Sequence, residues 1–183
     1  VSTAIESTNP EVQRAQALGI PIIHRSDLLA ELARRKKTIA ISGTSGKSTV
    51  TGMAWHVLEA GGLRPSLITG ANLNSLMGTG LLGNAKAGPG EWLLIEADES
   101  DGSLIKYSPE IGVVLNVEKD HKEIAELIPL FERFRDQTSR RVIVNEDDAY
   151  CRDLMRPGHG AFRHASMADG PALDARFGDW EID

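Results

Sequence analysis

The chain has 183 residues, with 26 Asp and Glu against 20 Lys and Arg, a formal charge of −6 at neutral pH. Apolar residues at 41% and charged residues at 25% are ordinary for a globular domain, and the length suits one domain, or one with part of a second. The acidic balance argues against a nucleic-acid partner, the single cysteine excludes an internal disulfide and points to a reducing compartment, and no apolar run is long enough to span a bilayer. No signal-peptide pattern opens the chain, so the expected location is the cytoplasm.

In chain order, Ile20–Ile23 predicts a short strand, and Ser26 stands at the N-cap position of a helix carrying Leu28, Leu29 and Leu32. Thr38–Ser42 predicts a second strand, closed by a turn at Gly43–Gly46. Val50, Met53, Ala54, Val57 and Leu58 recur at helical spacing, as the inner face of a helix that stops at Gly61-Gly62. Pro65–Thr69 and Trp92–Ala97 predict further strands. Between them, residues 70–90 carry six glycines and no period, which predicts a long mobile loop, either a surface hairpin or a flap facing a substrate. Ile111–Val117 predicts a fully buried strand. Leu127, Leu130, Phe131 and Phe134 mark a helix that tolerates Pro129 only in its first turn; a strand at Val142–Val144 and a helix at Asp147–Met155 follow. Strands alternating with helices predict an α/β fold, a mostly parallel sheet flanked by helices with right-handed crossovers.

Gly43-Thr44-Ser45-Gly46-Lys47-Ser48-Thr49 lies between a predicted strand and a predicted helix, the setting of a phosphate-binding loop. The glycines let successive N–H groups turn inward, and the helix start adds its positive dipole end. Lys47 supplies a point charge for nucleotide phosphates, and the Ser48 hydroxyl is a hard ligand for Mg²⁺. Ile41 occupies the position of the first glycine in the general pattern, so the segment can also be read as a glycine-rich turn with an exposed lysine.

Trp92–Ile95 runs into Glu96, Asp98, Glu99 and Asp101. An acid at the end of a buried strand beside a phosphate loop holds Mg²⁺ in loop NTPases; the other reading is a solvated acidic turn. Carboxylates this close in sequence repel one another unless a cation compensates. A second strand ends in Asn116-Val117-Glu118-Lys119-Asp120-His121, and the carboxyl ends of parallel strands are where open α/β sheets bind ligands. On spacing alone His121 is equally a structural histidine and a site residue.

Taken together, these segments resemble the Mur ligases, ATP-dependent amide-forming enzymes of peptidoglycan precursor synthesis. The loop without the first glycine is similar to that family's own form. Glu96–Asp101, Ser108-Pro109-Glu110 and Asn116–His121 are similar to its alanine-adding and muropeptide-recycling branches, as are Ser2–Ile5, Asn9-Pro10-Glu11 and Gly19–Ile22. The resemblance implies a P-loop NTPase-like fold in which Gly43, Thr44, Ser45, Gly46, Lys47, Ser48 and Thr49 bind ATP, with Asn116 beside them. It implies that Ser48 and Glu96 hold Mg²⁺, that His121 holds a second Mg²⁺ shared with Glu96, and that Lys47, Glu96 and His121 serve catalysis. The implied reaction phosphorylates the carboxylate of a UDP-N-acetylmuramate-type sugar nucleotide; an amino acid or peptide, L-alanine in the branch named, then attacks. His24 and Arg25 are candidates to approach the sugar nucleotide.

It further implies that residues 1–36 are the end of a UDP-binding domain, that 37–183 form the ATP-binding domain, and that an amino-acid-binding third domain is absent. A chain so composed is expected to bind ATP without completing amide synthesis. Departures concern the incoming amine. Ser45 stands where the alanine-adding branch has His, and Lys122-Glu123-Ile124 follow His121 where that branch has Leu-Asp. The competing readings are a GTPase, which lacks its guanine motif here, a small-molecule kinase, and a non-catalytic nucleotide-binding module.

Overall fold

The computed structural model describes residues 1–77, 80, 82–119 and 122–154, and the backbone strands at 160–162 and 175–176. Helices α1 (Pro10–Ala17) and α2 (Arg25–Arg34) precede strand β1 (Lys37–Ser42) and helix α3 (Lys47–Ala60). Then come β2 (Ser66–Ile68), β3 (Ala85–Lys86), β4 (Trp92–Glu96), a 3₁₀ turn (Ser103–Lys106) and β5 (Ile111–Val114). Helix α4 (Ile124–Gln137), β6 (Arg141–Asn145), α5 (Ala149–Leu154), β7 (Gly160–Phe162) and β8 (Ala175–Arg176) complete the described elements.

Among the described residues the strands form one eight-stranded sheet in the order β3-β2-β4-β1-β5-β6-β7-β8. Only the edge strands β3 and β8 run antiparallel to their neighbours. The central register sets the site: Ile41 pairs with Glu96 and Ser42 with Val114, so β1, β4 and β5 end at one level. No described helix is long and apolar enough to cross a membrane.

Side chains alternate across the pleat, which gives the sheet two cores. Ala40, Leu93, Ile95, Val114, Val142 and Val144 pack on one face beneath α2, α4 and α5; Phe131 and Phe134 of α4 are fully buried there. Each such phenylalanine contributes roughly 2–3 kcal/mol by removing apolar surface from water. Gly112 makes the close approach of α4 possible, since a Cβ there would lie 2.6 Å from Thr138 Oγ1 and 3.0 Å from a Phe134 ring carbon. On the other face Trp55 of α3 meets Leu67, Leu76 and Leu94, and its indole N–H donates to Pro65 O at 3.3 Å.

Several expectations are corrected. Ile20–Ile23 pairs with no strand among the described residues, and Ile20, Ile22 and Ile23 are exposed; β1 takes β4 and β5 as its partners instead. His24, not Ser26, caps α2: its Nδ1 accepts from Ser26 N at 3.3 Å while Asp27 accepts from His24 N at 3.2 Å. In α3 the buried residues are Thr51, Gly52 and Trp55, whereas Met53 and Val57 are 64% and 70% exposed. Apolar residues surround this helix, and the bulk of Trp55 decides which side turns inward.

The strand expected over Ile111–Val117 ends at Val114, and Ile111 and Val113 are only half-buried because α3 packs chiefly over β1 and β4. Helix α4 starts at Ile124, after a capping box between Glu123 and Glu126, so Pro129 lies beyond the first turn. Within residues 70–90 the hairpin alternative fits the described part: β3 pairs antiparallel with β2, and Leu73 N and Thr69 N donate to Gly83 O and Asn84 O, while 78, 79 and 81 lie outside the described residues. Leu76 is buried in the α3-side core.

Candidate active site

Strand β1 delivers the chain into the Gly43–Gly46 turn. Gly43 has φ 142°, and a Cβ there would press on Leu115 Cβ at 3.0 Å and Asn116 N at 3.2 Å; only glycine fits. Asn116, just past β5, stitches the loop in place. Its Oδ1 accepts from Ser45 N at 2.9 Å and Thr44 Oγ1 at 2.8 Å, and its Nδ2 donates to Ser45 Oγ at 3.0 Å. Glu118 N donates to Thr44 Oγ1 at 3.0 Å. The loop therefore holds its shape through its own protein contacts. Thr44, Ser45, Gly46, Lys47, Ser48 and Thr49 line a cavity of about 220 Å³ that Glu96 closes on one side. The first-turn N–H groups of α3 lack intrahelical acceptors, as at any helix start, which makes this end suited to an anion.

Glu96, the last residue of β4, takes four contacts. Ser48 Oγ lies 2.9 Å from both carboxylate oxygens, and Oε2 also accepts from Thr69 Oγ1 at 2.9 Å and Gly70 N at 2.8 Å. Thr69 and Gly70 are site residues that the sequence reading missed. The pairing of Ile68 with Ile95 puts them beside Glu96, and the signal was the carboxyl end of a neighbouring parallel strand. Lys47 Nζ donates to Gly43 O at 2.8 Å and to Glu99 Oε2 at 2.9 Å. Glu99 as the partner of Lys47 was also missed.

The acids do not converge on one point. Glu99 faces Lys47, Asp98 Oδ1 accepts from Ser100 N at 3.0 Å, and Asp101 accepts from Ser103 N at 2.8 Å with Arg25 3.8 Å away. Each of these acids is thus held by a protein donor, with Lys47 and Arg25 as the cations beside them. Burial works to raise the Asp101 carboxyl, but the Ser103 hydrogen bonds and the Arg25 charge outweigh it and keep it below its ordinary value. Among the described residues, no group of three or more His, Cys, Asp or Glu side chains is placed to hold a metal. Mg²⁺ is commonly bound through one or two protein oxygens plus phosphates. The Ser48 hydroxyl and the Glu96 carboxylate are hard oxygens lying together, a donor set that fits it. His121 lies outside the described residues.

A second cavity, of about 190 Å³, also borders Glu96 and is lined by Arg25, Ile68, Thr69, Asp98 and Tyr107, among others. Arg25 thus reaches the cavity, whereas His24 caps α2 through its Nδ1. Glu96 is a wall common to both cavities.

Residues 41–168 match the family described as the Mur ligase middle domain, and residues 1–37 match that described as Mur ligase family, catalytic domain. The chain belongs to the Mur ligase family. Among curated Mur ligases, it is 47% identical over 137 residues to the UDP-N-acetylmuramate–L-alanine ligase of Cyanothece sp., covering 73% of this chain and 27% of that protein. It is 45% identical over 158 residues to the enzyme of the same name from Thermosynechococcus vestitus, covering 84% and 32%. Of solved Mur ligase structures, the UDP-N-acetylmuramate-alanine ligase of Thermotoga maritima superposes with a TM-score of 0.78 at 27% identity, covering 90% of this chain and 38% of that one. The chain thus spans about a third of the length of these relatives.

Proposed function

We propose that this chain is the nucleotide-binding part of an ATP-dependent ligase that joins L-alanine to the carboxylate of UDP-N-acetylmuramate. The observation that carries the reading is the position of Glu96, which borders both a phosphate-sized cradle and a second cavity reached by Arg25. Two substrates seated there would meet at one carboxylate. The relatives named above, which carry the alanine-adding activity in their names, support the choice of amine.

In this reading the loop N–H groups from Gly43 to Thr49 bind the ATP phosphates, and Lys47 neutralises charge on the transferred γ-phosphoryl. Asn116 keeps the loop open by occupying Thr44 and Ser45. Ser48 and Glu96 would hold Mg²⁺, which supplies charge neutralisation between anionic phosphate and anionic carboxylate. Thr69 and Gly70 fix the carboxylate that does so. His121 is proposed as ligand of a second Mg²⁺ on the family resemblance alone. The γ-phosphoryl passes to a carboxylate oxygen, breaking its bond to ADP, and gives an acyl phosphate. The amine then attacks the carbonyl carbon, loses a proton and expels phosphate, leaving the amide. Residues 1–36 are proposed as the end of the sugar-nucleotide-binding domain, a reading supported by α1 burying none of its residues, and residues 37–183 as the ATP-binding domain. Free nucleotides as substrates suit a cytoplasmic protein.

Calorimetric titration with ATP and Mg²⁺ tests the nucleotide site. Wild-type chain is expected to bind, and Lys47→Ala to weaken binding by about tenfold or more through loss of the phosphate-facing charge. Equal binding by the two proteins, or none by wild type, would sink the reading.

A further inference from the structure

Lys47 is engaged by acceptors of the protein itself. An ammonium has three protons, and Gly43 O at 2.8 Å, Glu99 Oε2 at 2.9 Å and Thr44 O at 3.5 Å can take them all. Asp98 Oδ1 adds a further negative charge at 3.9 Å. The pair is withdrawn from solvent, with the Lys47 side chain 13% exposed and that of Glu99 5% exposed. A carboxylate so placed needs a partner, because a buried unpaired charge is costly. Glu99 is also anchored: its carbonyl oxygen accepts from Lys122 Nζ at 2.9 Å and from Gly102 N at 3.1 Å. Its backbone is thereby held in place, with the carboxylate facing Lys47.

We propose that Glu99 is a positioning residue that neutralises Lys47 in the nucleotide-free protein and thereby makes phosphate binding depend on a divalent cation. The proposal rests on the nucleotide-site reading above. An incoming polyphosphate competes with Glu99 for Lys47, in a pocket where Glu96 and Asp98 are acidic too. Without added positive charge, the phosphate meets one shared cation against three carboxylates. A divalent cation at the Ser48–Glu96 side restores the balance, so Lys47 can be shared between phosphate and Glu99. Glu99→Gln removes the competing charge yet keeps the side-chain shape and an oxygen that can accept from Lys47.

The test is calorimetric titration of the full chain with ADP, once in excess EDTA and once in Mg²⁺. Glu99→Gln is expected to bind metal-free ADP about tenfold tighter than wild type, the scale of removing one nearby charge from a partly shielded site. Its affinity in Mg²⁺ should change by only about threefold or less, so the metal dependence collapses. Glu99→Asp keeps the charge but draws it back by one methylene, and should fall between the two; it carries the comparison if Glu99→Gln does not fold. No gain in EDTA, or an equal change with and without Mg²⁺, would overturn the role given to Glu99. Failure of wild type to bind ADP even in Mg²⁺ would instead remove the nucleotide site itself.

Discussion

Asp101 shows how single side chains here are tuned by neighbours from distant parts of the chain. Its carboxyl is held below its ordinary value although burial opposes ionisation, because Ser103 and Arg25 favour the charged form. A carboxyl whose pKa is depressed by folding adds stability at pH above its unfolded value, and that stability is lost as pH falls through the folded value. Asp101→Asn should therefore lower the urea midpoint at pH 7, with the gap to wild type closing as the pH drops below about 4. A gap of constant size across that range would mean that the charge is irrelevant. At this scale much of the site was legible. The loop with Lys47 and Ser48 announces itself because it joins a continuous apolar run to a helix, and Glu96 and Asn116 because each closes or follows such a run. The Lys47–Glu99 pair was not legible, because it joins residues 52 apart and depends on β4 lying beside β1. Thr69 and Gly70 were hidden for the same reason.

At the scale of elements, burial patterns follow from which surfaces meet and not from hydrophobic spacing alone. Helix α3 carries a good apolar stripe, yet Met53 and Val57 stay in water because Trp55 takes the inner side. The stripe on α4 gave the right answer, since Leu127, Phe131 and Phe134 have no competing apolar face. What spacing cannot convey is the need for a gap in the facing strand. Gly112 provides it, and Thr138 Oγ1 has little freedom to retreat because it donates to Phe134 O at 2.9 Å. Gly112→Ala is thus expected to destabilise the fold by roughly 1–3 kcal/mol through overpacking. Chemical denaturation of that variant beside Gly112→Ala/Thr138→Ser would check it: the double variant keeps the hydroxyl and should not recover stability. Full recovery would show that the Thr138 methyl, not its hydroxyl or the Phe134 ring, is the obstacle.

For the molecule as a whole, alternation of strands and helices was enough to predict a mostly parallel sheet with helices on its faces. The strand order was not available, because β1 lies between β4 and β5, neither of which adjoins it in the chain. The lone thiol reports on the integrity of this assembly. Cys151 is fully buried in the larger core, and burial, with the Asp148 charge adding to it, pushes its thiol up to about 12. It should resist alkylation at neutral pH until the protein unfolds, so its modification rate should rise in step with loss of circular dichroism in urea. Rapid labelling of the native protein would mean that α5 opens independently of the sheet.

Glu96 carries one more consequence. Because the same carboxylate bounds two cavities, a ligand in one that moves or neutralises it would change the other. Whatever the first does to the position or charge of that group, the second experiences, and linkage requires the effect to be equal in both directions. Titrating ADP with and without a ligand in the second cavity would measure that coupling.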